Sequence, residues 1–186
     1  MQRIVEAPPA VSAEQALLER IASGDRDALA ELYRRYQRPL FRFLRQLTPD
    51  RGLAEEILQD TLVAVWKGAG TFKGRSPVST WLFGIARRQA HDALRRKGVA
   101  FAGEEEIGQA ADPGPPPEER ALARDGLAQA VRRLAPVHRE VLALAFVSGL
   151  GYQEIAEALE VPEGTVKSRL FNARRALRRL LEEEDG

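Results

Sequence analysis

The chain contains no cysteine. That removes a disulfide framework, a thiolate zinc site and a thiol nucleophile together, and it suits a reducing compartment. Histidine is almost as scarce. His91 and His138 are the two present, and neither has a ligand-spaced partner in the sequence. Long apolar runs are missing too. The longest, Val141 to Val147, is far too short to span a bilayer, and the segment Met1 to Pro9 carries one basic residue and no apolar run of signal-peptide length. No membrane insertion is expected, and a cytoplasmic protein is. Charge of one sign is absent: 28 Lys+Arg against 27 Asp+Glu leave a net charge of +1. This excludes a polybasic arm and an acidic disordered chaperone, but it hides local asymmetry. Sustained period-two alternation is also lacking, so no sheet is expected.

Enzymatic signatures are missing as well. Gly68, Gly70 and Gly74 fit no dinucleotide fingerprint. Ala69 to Ser76 fails as a phosphate loop, with Ala69 for the first glycine and Arg75 for the lysine. Glu104, Glu105 and Glu106 lie in a proline-rich stretch that cannot hold metal geometry. No metal, cofactor or catalytic group is expected.

What is present is helical periodicity. With 186 residues, 44% hydrophobic and 30% charged, the chain can bury one ordinary core or two small ones. Apolar residues recur at helical spacing from Ala16 to Ile21 and from Ala28 to Tyr36, with Asp25 placed as an N-cap. A third run, Leu53 to Trp66, stops at Gly68 to Gly70. A fourth starts near Ser79 and reaches Gly98. From Ala100 to Arg120 six acids face one base, beside Pro113, Pro115, Pro116 and Pro117. Such a composition packs no core and reads as a flexible acidic linker. Helices resume at about Ala121. Pro136 sits where a helix begins, at no hydrogen-bond cost. Val137 to Val147 forms a mostly apolar helix, and Gly149 and Gly151 end it. The predicted fold is all-α: a helical domain over 12–98, a linker over 99–120, and a smaller helical domain over 121–186.

The last two helices, about Gln153 to Leu159 and Glu163 to Leu181, are the most informative. Ile155, Ala156 and Leu159 face inward, Val161 packs in the turn, and Pro162 starts the second helix, which is a helix-turn-helix layout. At 100° per residue, Val166, Leu170, Ala173, Leu177 and Leu181 fall within about 80° of arc. Opposite them lie Lys167, Ser168, Phe171, Asn172, Arg175 and Arg179. Glu163 to Arg179 carries six bases and one acid, a local +5. Guanidinium, amide and hydroxyl groups on one helix face suit base edges and phosphates in a major groove, and Phe171 suits a thymine methyl. A second basic stretch holds Arg87, Arg88, Arg95, Arg96 and Lys97 against Asp92. Before it, the loop from Thr71 to Trp81 mixes aromatics, cations and hydroxyls, the chemistry that holds unstacked bases. Trp81 itself reads as a core residue.

At this point the chain resembles an extracytoplasmic-function (ECF) sigma factor of bacterial RNA polymerase, over about Asp25 to Leu181. Four stretches carry the resemblance. Asp25 to Tyr36 resembles the opening of conserved region 2, and Ala54 to Trp66 the core-polymerase-binding helix. Ser79 to Arg96 is similar to the promoter-melting helix, and Pro136 to Arg179 to conserved region 4. The resemblance implies that Glu55, Glu56, Gln59 and Asp60 face the polymerase clamp. It implies that Phe72, Lys73, Arg75 and Ser76 form the loop capturing a flipped base of the −10 element. Arg87, Arg88, Asp92, Arg95 and Arg96 would line the −10 path, and Lys167, Ser168, Phe171, Asn172 and Arg175 would read the −35 element. Asn172 stands where arginine is frequent, Gln89 where asparagine is usual, and Pro77 and Val78 where small polar residues are common, so promoter sequence preference is open. Core RNA polymerase, promoter DNA and a cognate anti-sigma factor are the implied partners. Two alternatives stand beside this reading: a stand-alone helix-turn-helix regulator, which the absence of a strand-helix receiver pattern disfavours, and a decoy that occupies an anti-sigma factor, which intact basic residues in both modules disfavour.

Overall fold

The computed structural model describes residues 12–98 and 126–184. Among them there are eight α-helices and no strand. The expected linker over 99–120, and the start of the second domain at 121, lie outside the described residues. The first group comprises α1 (Ala13–Ala22), α2 (Arg26–Leu47), α3 (Arg51–Gly68), a 3₁₀ turn at Ala69–Thr71, and α4 (Val78–Arg96). The second comprises α5 (Gly126–Arg133), α6 (Pro136–Leu142), α7 (Tyr152–Leu159) and α8 (Glu163–Glu184).

 Helix α7, Tyr152–Leu159, and helix α8 enclose the short turn foreseen for a helix-turn-helix.

Local chemistry sets these boundaries. Ser12 and Gln15 form a reciprocal capping box at the start of α1. Asp25 caps α2 by accepting from the backbone N–H groups of Asp27 and Ala28 at 2.9 and 3.1 Å, as its position foretold. Asp50 does the same for α3 through the Leu53 N–H at 3.0 Å. Pro136 opens α6, where its missing N–H leaves no bond unmade. Beyond Leu142 the apolar run widens into a π-helical turn, Ala143–Val147, so the single helix expected over Val137 to Val147 changes pitch midway. Gly149, at φ +71°, then turns the chain into α7, a backbone state that costs glycine little.

Two apolar clusters fill the interior. The smaller joins α1 to α2, α3 and α4 through Leu17, Leu18, Ile21, Leu32, Val65 and Leu82. Phe72 and Trp81 pack against its edge, with ring centroids 5.5 Å apart. The larger contains Phe43 and Phe83, which meet edge to face at 5.4 Å. It continues without a break into Val141, Leu144, Ile155, Val166 and Leu170 of the C-terminal helices. The two helical groups therefore share apolar surface, and α4 and α7 lie directly against each other.

Candidate nucleic-acid interface

Helix α8 sorts its residues as the angular reading requires. Val166, Leu170 and Ala173 are buried, and Leu177 and Leu181 are partly so. Lys167, Ser168, Phe171, Asn172 and Arg175 are all exposed on the other side. Phe171 keeps 65% of its surface open to solvent, although burying a phenylalanine would be favourable. Lys167 is held by Glu163 at 2.7 Å and lies 5.9 Å from the Tyr152 ring centroid. Its ammonium pKa is raised, first by the hydrogen bond to Glu163 and then by that carboxylate's charge. On the inner side of this unit, burial and the nearby Arg169 charge push the His138 imidazole below its ordinary value, which favours the neutral ring.

The polar residues of α3 separate into two rows. Glu55 and Gln59 border an open cleft of about 390 Å³ between α2 and α3, lined also by Tyr33, Phe41, Leu58 and Leu62. Glu56 and Asp60 turn the other way, and Asp60 lies 3.9 Å from Arg96 of α4. Glu55 pairs with Arg51 one turn earlier, at 3.0 Å. All four side chains reach solvent to some degree, with Asp60 the most covered.

The loop between Thr71 and α4 presents Lys73 and Arg75 to solvent, whereas Phe72 and Ser76 are half-buried. Trp81 is also partly buried at the core edge, in keeping with its reading as a core residue. Gly74 has φ +64°, and a Cβ there would come within 2.9 Å of the Gln15 amide, so the loop passes close over α1. The basic residues of α4 divide as well. Arg95 and Arg96 are exposed, Arg95 bonding Asp92 at 2.8 Å. Arg87 and Arg88 instead meet acids of the C-terminal group. Arg87 Nε donates to Glu140 at 2.9 Å, and Arg88 donates to Glu160 at 3.0 Å. His91 Nε2 also lies 2.7 Å from Glu140, so it has the partner that the sequence did not reveal.

Glu140 was not singled out by its sequence, although a signal existed. It is the one acid within the apolar segment Val137 to Val147. It is 1% exposed, and a buried carboxylate needs partners on the element it faces. Among the described residues no cluster of His, Asp and Glu has the arrangement of a metal site. No helix among them is long and apolar enough to cross a membrane.

Comparison with known proteins follows this division. Residues 32–99 match the family model of sigma-70 region 2, and residues 124–177 that of sigma-70 region 4. The chain is 32% identical to the ECF RNA polymerase sigma factor SigK of Mycobacterium sp. (strain JLS), over 89% of each chain. Among solved structures it is similar to CnrH in complex with the cytosolic domain of CnrY. The TM-score is 0.71 at 26% identity, covering 92% of this chain and 99% of that one. It is also similar to the sigma factor RpoE in complex with the anti-sigma factor NepR from Bartonella quintana. There the TM-score is 0.61 at 27% identity, covering 82% and 97% of the two chains.

Proposed function

The chain belongs to the ECF sigma factors, which bind core RNA polymerase and promoter DNA and direct transcription initiation, and we propose how its surfaces divide that work. The exposed face of α8, with Lys167, Ser168, Phe171, Asn172 and Arg175, reads the −35 element in the major groove. The solvent-facing Phe171 carries this reading, because an apolar ring left open beside cations and an amide fits a thymine methyl flanked by polar edges. Lys73, Arg75, Phe72 and Ser76 form the capture loop for an unstacked −10 base. Arg87, Arg88, Asp92, Arg95 and Arg96 line the path of the opened strand. Glu55, Glu56, Gln59 and Asp60 present the acidic surface to the polymerase clamp.

In this reading 12–98 and 121–186 act as two DNA-binding units joined through 99–120. Linking them makes the second promoter contact intramolecular and raises avidity. Catalysis belongs to the polymerase, and this chain supplies promoter choice. It works in the bacterial cytoplasm, on the nucleoid when in holoenzyme. A cognate anti-sigma factor holds it inactive, a proposal supported by the resemblance to RpoE, which was solved with the anti-sigma factor NepR. The test is run-off transcription with core polymerase over a genomic fragment library. Promoter-dependent transcripts that disappear with Arg175→Ala, while core binding persists, are expected. A stable dimer with a palindromic footprint and no polymerase requirement would instead favour a stand-alone helix-turn-helix regulator.

A further inference from the structure

The loop between α3 and α4, which the function proposed above assigns to −10 capture, runs along α1. At its entry the 3₁₀ turn packs against that helix. Ala69 is buried with Leu17, Leu18 and Ile21, and a Cβ built at Gly70 lies 3.7 Å from that of Ala22. Phe72 joins the edge of the same apolar cluster, and Val78, at the loop's exit, is buried in it. Between these points Lys73, Gly74 and Arg75 are exposed. Among the described residues no hydrogen bond holds these three in place. Apolar packing therefore fixes the two ends of the loop and leaves its apex to another contact.

That contact is Gln15, a half-buried residue in the first turn of α1. Its amide oxygen accepts the Ser12 N–H at 3.0 Å within the capping box, which decides the way the amide faces. The amide nitrogen is then turned to the loop, 2.9 Å from the point that a Cβ of residue 74 would occupy. Glycine alone admits it there, and Gly74 also holds φ +64°, a state that costs glycine little. The neighbouring Glu14 ties this turn to α2, accepting from the Tyr36 hydroxyl at 2.6 Å and the Arg35 guanidinium at 3.3 Å. The first turn of α1 is thus anchored on one side and carries Gln15 against the loop apex on the other. We propose that Gln15 is a positioning residue for −10 capture: its amide fills the space beside Gly74, keeps the apex in one conformation, and so presets Lys73 and Arg75 for the opened strand. A loop ordered before the strand arrives spares the binding step the entropy of ordering it. Affinity then scales with the fraction of chains whose loop is in that conformation.

This role rests on the reading of the loop as a −10 surface, and two measurements keep the claims apart. Trypsin cuts after Lys73 and Arg75 only when the loop moves to fit the protease, so the nicking rate at these residues reports the apex itself. In the full-length chain, Gln15→Ala should raise that rate at least about threefold relative to cuts after Arg87 and Arg88 within α4. The second measurement uses holoenzyme and two DNA probes, both taken from a fragment that the wild-type holoenzyme selects. Gln15→Ala should weaken binding of a single-stranded −10 oligonucleotide at least about threefold and leave affinity for a −35 duplex unchanged. Gln15→Met is the control. It keeps the length and bulk of the side chain but loses the amide, so a defect caused by the lost cap bond would appear in both variants. It should stay within about twofold of wild type in both measurements. Unchanged nicking with Gln15→Ala, faster nicking with undiminished oligonucleotide binding, an equal loss on the −35 duplex, or a loss shared by Gln15→Met overturns the positioning role. Lys73→Ala with Arg75→Ala addresses the other claim. If that chain binds the oligonucleotide as wild type does, the loop is not the −10 surface, whereas the nicking rates of the Gln15 variants still report whether Gln15 holds the apex.

Discussion

Leu170 and Phe171 are neighbours with opposite duties. Leu170 is 2% exposed and sits in the apolar stripe of α8, whereas Phe171 is 65% exposed on the cationic side. Truncating the first removes buried methylenes and leaves a cavity, so Leu170→Ala should destabilise the protein by about 2–5 kcal/mol. Truncating the second removes little that folding uses, so Phe171→Ala should shift stability by no more than about 0.5 kcal/mol. Binding should follow the reverse order in kind. Holoenzyme carrying Phe171→Ala should lose affinity for duplexes bearing the −35 element severalfold while keeping its affinity for unrelated duplexes. Thermal melts and fluorescence anisotropy on both DNAs check this pair. Equal loss on both duplexes would deny Phe171 a part in sequence choice.

Two helices owe their starts to aspartates whose ionisation is coupled to folding. The Ala28 N–H, and then the Arg20 guanidinium 2.7 Å away, hold the Asp25 carboxyl below its usual range. The Leu53 N–H, and to a smaller degree Lys97, do the same for Asp50. A carboxyl whose pKa is lowered by folding contributes stability that is complete above its unfolded pKa of about 4 and is lost as pH falls through the folded value. Stability should therefore drop as the pH falls below about 4. Asparagine caps a helix nearly as well as aspartate but does not titrate. The double variant Asp25→Asn, Asp50→Asn should thus show a shallower acid decline in melts across this range, and an unchanged decline would place the linkage elsewhere. On α3, Glu56→Lys with Gln59→Lys changes exposed positions only, so the melting temperature should hold while affinity for core polymerase falls at least about tenfold. A retained affinity in a pull-down titration would move the clamp contact off this helix. Elements of this kind were legible in the sequence because their causes are local. Asp25 before an apolar period, Pro136 at a helix start and the α8 stripe are each written within a few residues. The pairing of His91 and Arg87 with Glu140 was not, because it depends on segments about 50 residues apart in the chain meeting in space, and the π-helical turn at Ala143–Val147 was not, because its apolar run reads the same as that of any buried helix.

For the whole molecule, the net charge of +1 is a poor guide to how it meets DNA. Charge is arranged by surface: acids along α3, bases on the outer face of α8, and bases on α4 that are partly matched by α6 and α7. A near-neutral sphere would bind a polyanion weakly and with little dependence on salt. Local fields act over roughly a Debye length, about 8–10 Å at physiological ionic strength, so a promoter senses the face it touches rather than the sum. Each phosphate neutralised releases counterions and adds about −0.9 to the slope of log affinity against log salt. The holoenzyme should therefore lose promoter affinity steeply between 50 and 200 mM salt. Arg179→Gln, at the edge of the α8 face, should flatten the slope by about one if it meets a phosphate, without altering the preference among −35 sequences. Phe171→Ala should alter that preference and leave the slope alone. The two variants thus separate the electrostatic grip from the reading of bases. A salt slope unchanged by Arg179→Gln would remove that arginine from the DNA contact, and a shallow slope for the parent would contradict the division of charge by surface on which the two-element grip depends.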